Sequence, residues 1–461
     1  MAINSAMDSR GSSCSISDTS GNLLFYASGS DPLQLSINET VKVRNALDQI
    51  MQNGDSIVGM IWYQELLITD LPASSNLFYL FSVGVSVSDG LYYSIVDMNA
   101  NGGQGAVIQK NIQLESFKCT DGLTAVKHGN GRDWWIIFRR WDTVNNEYYK
   151  YLVTPAGISN VSIDHVGSLT NNGFGKMKFT QEGSKFAYIN FKGMLEIYDF
   201  DRCTGIISNP VTIHPEPPSS PYVNRFWSCE FSANQRFLYV GTYSADSCFL
   251  FQYDLLNPDP ANSRILLDST TNNLIAFGLL KRGPDEKIYF SKSYQCQIFP
   301  YCFPYPDSVY NYVNMNLSVI NSPDNLGVAS NYTPFSFYLG GKRTYVALPN
   351  NPDYDLPALA GSPCDTLVSQ NELAGAAAVG SLHVYYHPAW EKAFINASNL
   401  KGKTGKLLVY DIQGKVVHSE PLRIQNGYYT RDLSMIGRAD GVYLVVVETE
   451  QERLVKKVLI D

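Results

Sequence analysis

A strand–turn–strand phrase that returns about every 50 residues constrains this chain more than any other feature. Met177–Tyr188 (MKFTQEGSKFAY) reads as a strand, a polar turn and a second strand. The phrase recurs as Cys229–Val240 (CEFSANQRFLYV) and Leu279–Phe290 (LLKRGPDEKIYF), with a divergent earlier copy at Leu123–Ile137. Phe179 and Phe231 stand 52 residues apart, and Tyr239 and Tyr289 stand 50 apart. A second hairpin follows each copy, as at Leu195–Asp201 and Phe249–Leu255. Further strand pairs fall at Leu77–Val83 with Leu91–Asp97 and at Pro334–Tyr338 with Thr344–Leu348, and another strand at Asn22–Ser28. A fixed period of this length means that each unit buries its faces against its neighbours.

Four short strands per repeat, joined by Gly, Asn and Asp turns, predict an all-β fold: a β-propeller of about seven four-stranded blades over residues 1–350. Six blades fit if the first is incomplete. Composition agrees, with 30 Tyr and 22 Phe but only 17% charged residues, a balance that suits half-buried pleated strands. A Pro/Gly/Ala-rich stretch over 351–380 reads as a linker. Residues 381–461 then alternate through seven short strands, which predicts a small antiparallel β-sandwich. That tail carries 11 Lys/Arg against 9 Asp/Glu, whereas the remainder has a net charge of −10. The overall charge of −8 argues against nucleic acid as a partner, and no apolar run is long enough for a spanning helix.

Several side-chain groupings invite a chemical reading. Asp97, Asn99 and Asn101 mimic the start of a calcium loop, but Ile108 stands where the bidentate carboxylate belongs, so a hairpin turn is expected. Asp199 and Asp201 share a strand face, as a carboxylate pair or as turn caps. Glu230 could enter the central channel as an acid; its repeat counterparts are Lys178 and Leu280 or Lys281, so no carboxylate recurs there. His128 sits in a turn with no nucleophile spaced to it, and Gly102–Gly105 lacks the rest of a dinucleotide fingerprint. Trp134, Trp135 and Trp141 with Tyr148 and Tyr149 could form a sugar-stacking face or pack between blades. The spacings of Cys229/Cys248 and Cys296/Cys302 suit local disulfides or buried thiols. No catalytic, metal or cofactor site is expected.

The tail resembles the type A C-terminal sorting domain of proteins exported by the type IX secretion system of Bacteroidota. The matching segments are Val384–Pro388 (VYYHP), Leu408–Val417 (LVYDIQGKVV), Asp432–Ser434, Gly441–Val447 (GVYLVVV) and Lys456–Ile460 (KKVLI). Within them Pro388, Asp411, Gly414, Lys415, Gly441, Tyr443, Lys456 and Lys457 carry the match. The family opens with Pro-Asn-Pro where this chain has Tyr386-His387-Pro388. The first 350 residues resemble propellers of secreted or gliding-associated proteins, on Gly21–Tyr26, Tyr92–Gly105, Tyr198–Asp201, Glu230–Ser232 and Gly283–Tyr289. Together the resemblances imply a secreted or outer-membrane surface protein, with the type IX machinery as one partner. The propeller would present loops to a protein or glycan ligand. A propeller hydrolase or lyase acting on extracellular polysaccharide or peptide is the alternative. Such export implies a signal peptide, and the chain begins inside what reads as a first blade, so a longer precursor is expected.

Overall fold

The structure, a computed structural model, describes residues 5–7, 9, 11–29, 40–59, 63–84, 89–217, 225–244, 247–272, 274–294, 310–365, 381–387, 391–398, 400–424 and 429–460. The chain divides into two compact units, Met1–Thr366 and Leu367–Asp461.

Six sheets make up the first unit among the described residues, each laid down in sequence order. Their innermost strands are Ser13–Ser17, Leu66–Asp70, Thr124–Lys127, Gly175–Phe179, Phe226–Phe231 and Ile275–Arg282. These begin 53, 58, 51, 51 and 49 residues apart, close to the period read from the sequence. The first sheet has three strands, the third has a short fifth, and the rest have four. Inner strands are almost wholly buried, whereas outermost strands such as Ser162–Thr170 and Ile207–His214 are largely exposed. Pro210 and Pro334 fall on outermost strands, where a missing N–H breaks no interior ladder.

Each pair of consecutive sheets shares an apolar core. Phe25 and Val43 of the first meet Ile68 and Phe78 of the second, and Phe81 meets Trp134 and Phe138 of the third. Trp135 and Tyr148 then pack on Phe186 and Tyr198, Ile189 on Phe226 and Phe231, and Tyr239 on Phe277 and Phe290. A blade has two apolar faces and can bury both only between neighbours, which is why the period produces a propeller.

Six described blades are one fewer than the seven expected, and they match the count for an incomplete first blade. Thr344–Leu348, expected to pair as a strand, is irregular and enters the channel, and the compact unit continues through the stretch read as a linker as far as Thr366.

Among its described residues the second unit has seven strands in two sheets. Ser381–His387, Lys392–Ser398 and Tyr429–Ser434 form one, and Thr404–Tyr410, Val416–Arg423, Gly441–Thr449 and Arg453–Ile460 form the other. Alternate residues face inward, so Leu407, Val409, Tyr443, Val445, Val447 and Val458 meet Ala393, Ile395 and Leu433 in one core.

Candidate functional site

The first unit's own C-terminal segment runs along the channel between the inner strands. Val346 O accepts from Leu279 N at 3.0 Å and Ser291 Oγ at 2.6 Å on the sixth blade. Asn350 N donates to Ser13 O at 2.8 Å on the first blade, and its side-chain Nδ2 donates to Leu66 O and Leu123 O, both at 3.0 Å. Asn351 Oδ1 accepts from Ser15 N at 2.9 Å. Further along, the Tyr354 hydroxyl donates to Ile68 O at 2.9 Å, and Leu356 packs beside Val126 and Met177. Arg202 Nη2 donates to Pro357 O at 2.6 Å, and Leu359 N to Gly129 O at 2.7 Å. A disulfide between Cys203 and Cys364 then fastens the segment to the fourth blade. Gly129 is required where the sulfurs pass, because a Cβ there would lie 2.3 Å from the Cys364 sulfur.

Beside this strap lies a cavity of about 90 Å³, lined by inner strands of blades three to six and by Leu348–Asp353. Its polar lining is cationic: Lys176, Lys178, Lys281 and Arg282, against Asp353 as the only carboxylate among the described lining residues. Lys176 is paired with buried Asp121 at 2.7 Å, and Asp121 also accepts from Gly175 N and Tyr63 N. Lys178 is paired with Glu230 at 2.8 Å. Glu230 is fully buried; its Oε2 also accepts from Arg282 N at 2.9 Å and its Oε1 from Phe231 N at 3.2 Å. Lys281 Nζ donates to Asn351 O at 2.7 Å, and Arg282 Nη1 to Gln181 Oε1 at 3.0 Å. Burial pushes the Lys281 ammonium down to about 7; Lys178 and Arg282 reinforce the shift, and Glu230 and Asp353 oppose it. Cys229 also lines the cavity, but burial raises its thiol far above the usual range and leaves it un-nucleophilic.

Glu230 therefore lies behind the cavity wall and not in its lining, with its oxygens committed to Lys178 and two backbone amides. The meeting was half visible in the repeat, since Lys178 and Glu230 occupy equivalent positions of neighbouring copies. What the repeat could not show is the strap, whose Asn351 and Asp353 complete the cavity.

The other candidates take local roles. Asp97 accepts from Asn99 N, and Asn101 and Gly102 are left-handed, as in a tight turn. No group of three metal-ligating side chains occurs among the described residues. Asp199 is held by Lys185 and Asn209, and Asp201 caps its turn through Cys203 N and Thr204 Oγ1, so they form no pair. His128 Nδ1 accepts from Asn130 N, leaving Nε2 to donate to Cys203 O at 2.9 Å, and thus braces the disulfide turn. Trp134, Trp135, Tyr148 and Tyr149 are buried between blades and cannot stack a sugar, while half-buried Trp141 packs against Gly173 beneath the Lys118 ammonium. Cys229 and Cys248 are free and buried, while Cys296 and Cys302 lie outside the described residues. The Cys203–Cys364 bridge had no sequence signal: 161 positions separate the partners.

In the second unit Asp411, Gly414 and Lys415 build one hairpin turn. Asp411 Oδ1 accepts from Gln413 N and Lys415 N, and Gly414 supplies a φ of 81°. Gly441 opens its strand at φ 148°, and the Tyr443 hydroxyl donates to Ala439 O at 2.8 Å. Lys456 and Lys457 are exposed on the last strand, and Pro388 lies outside the described residues.

No curated protein matches the chain. Among solved structures, a luciferin-regenerating enzyme is similar at 14% identity and TM-score 0.41, over 74% of this chain and 97% of that one. A putative 6-phosphogluconolactonase from Bacteroides fragilis is similar at 10% and 0.41, over 73% and 85%. The periplasmic gluconolactonase of Pseudomonas aeruginosa is similar at 11% and 0.38, over 86% and 95%. Likenesses this distant do not say what the channel of this chain binds. The tail is different, because residues 383–461 match the family described as the secretion system C-terminal sorting domain. The described strands, the order of the turns and the family match converge: residues 383–461 are a sorting domain of the type IX secretion system, which indicates secretion and cell-surface attachment.

Proposed function

We propose that the protein is a surface-displayed binding module, in which the sorting domain delivers a propeller that holds an extracellular ligand without transforming it. The observation that carries this reading is the composition of the channel cavity. A hydrolase or lyase acting on polysaccharide or peptide needs two or three convergent carboxylates with displaced pKa values. Here four cations surround a single lining carboxylate, and Glu230 behind them is already ion-paired. In the tail, Asp411, Gly414, Lys415, Gly441 and Tyr443 maintain the sandwich, while exposed Lys456 and Lys457 are offered to the export machinery.

Two experiments test this. Removal of residues 381–461 leaves a folded propeller in the periplasm; unchanged surface display of that form overturns the role of the tail. For the propeller, purified protein is incubated with extracellular polysaccharides and peptides. Saturable binding with no product is expected. Turnover that is lost in Asp353→Asn or Glu230→Gln would make it an enzyme instead.

A further inference from the structure

We propose that the cavity beside the strap is a site for a small oxyanion, the carboxylate or phosphate group of an extracellular ligand, gripped directly by Lys281 and Arg282. This rests on reading the propeller as a binding module. Among the described residues Lys281 and Arg282 form no ion pair, while Lys176 and Lys178 beside them are each matched to a buried carboxylate. Each uses one donor in the hydrogen bonds described for it, Lys281 on the Asn351 carbonyl and Arg282 on Gln181. An ammonium has three N–H groups and a guanidinium five, so donors remain to face the cavity. Two adjacent, half-buried cations repel one another, and a bound anion removes that repulsion while accepting their spare N–H groups.

Four charged groups act on Lys281: Lys178, Glu230, Asp353 and Arg282. With its ammonium lowered to about 7, the empty site is only partly charged near neutrality. An anion bound against it raises that value again, so binding takes up a proton and weakens as Lys281 is neutralised. For a site whose pKa is about 7 when empty, affinity falls about tenfold from about pH 6 to about pH 8.

The test is calorimetric titration of the full chain with inorganic phosphate, glucuronate and, as a neutral control, glucose. Phosphate or glucuronate should bind saturably and glucose should not; whichever anion binds better identifies the source of the oxyanion. Lys281→Met should weaken binding at least about tenfold and abolish the pH dependence of glucuronate binding, the probe whose own charge stays constant across that window. Lys281→Arg should keep binding and lose only the pH dependence, which separates charge from folding. No anion binding, or binding that is unchanged in Lys281→Met, overturns the proposal. Binding of a neutral glycan unaffected by these variants overturns the anion site while leaving the binding module standing; turnover of a ligand overturns the module itself.

Discussion

The replacement of both Cys203 and Cys364 by serine should lower the stability of the propeller substantially. The bridge closes a loop across 161 positions. In the chain-entropy treatment a loop of that length restricts the unfolded chain by about 5 kcal/mol, the upper end of measured disulfide effects. The bridge also fixes the end of the strap, so its loss loosens the Leu359–Gly129 and Arg202–Pro357 contacts nearby. A unit of 366 residues has an unfolding entropy near 0.8 kcal/mol/K, so 3–5 kcal/mol corresponds to a melting point about 4–6 °C lower. Calorimetric melting of wild type and of Cys203→Ser/Cys364→Ser, each with and without reductant, provides the readout. Reductant should lower the wild type by this amount more than it lowers the variant, because the four free cysteines of the described residues are buried thiols. Equal melting points, in a wild type whose peptide map shows Cys203 joined to Cys364, would refute the reasoning.

Three further perturbations probe the channel. Asn350→Ala deprives Leu66 O and Leu123 O of their shared donor and should cost about 2 kcal/mol in chemical denaturation. Asp121→Ala leaves buried Lys176 without its ion-pair partner and should cost about 3–5 kcal/mol, whereas Asp55→Ala, which removes only the exposed pair with Lys110, should change little. Finally, Lys281 titrates near 7 in the folded protein against 10.5 as its ordinary value, so between those limits the unfolded chain binds the extra proton and stability rises with pH. Denaturation midpoints across that window should climb in wild type and lose that component of the slope in Lys281→Met.

The blades were legible because each strand follows local rules. Phe186–Tyr188 and Leu238–Val240 repeat the same alternation after the same polar turn, and pairing between consecutive strands needs no distant information. The sorting domain was legible for the same reason, down to the turn that Asp411 and Gly414 build. The strap was not. Residues 349–365 are rich in Pro, Asn and Asp, lack periodicity, and satisfy backbone groups on inner strands as distant in sequence as the first blade, as Asn350 N does on Ser13 O. Such a segment has the composition of a linker, and only the tertiary channel distinguishes the two. The disulfide was hidden by the same distance, and the Trp134–Trp135 pair left two readings open because aromatic density serves a core as readily as a binding face.

The strap links two properties that would otherwise be independent. The carbonyl of Asn351 holds Lys281 on the sixth blade, while the side chain of Asn351 holds Ser15 on the first. One residue therefore joins the ends of the ring and positions the ammonium that faces the cavity. Asn351→Ala removes only the second of these contacts, since the carbonyl remains, yet it frees the strap to shift against Lys281. On the proposed anion site, a change at the Asn351–Ser15 contact should alter binding beside Lys281, and an anion bound there should in return tighten that contact. Reciprocity of this kind is required wherever a single rigid segment serves both sites.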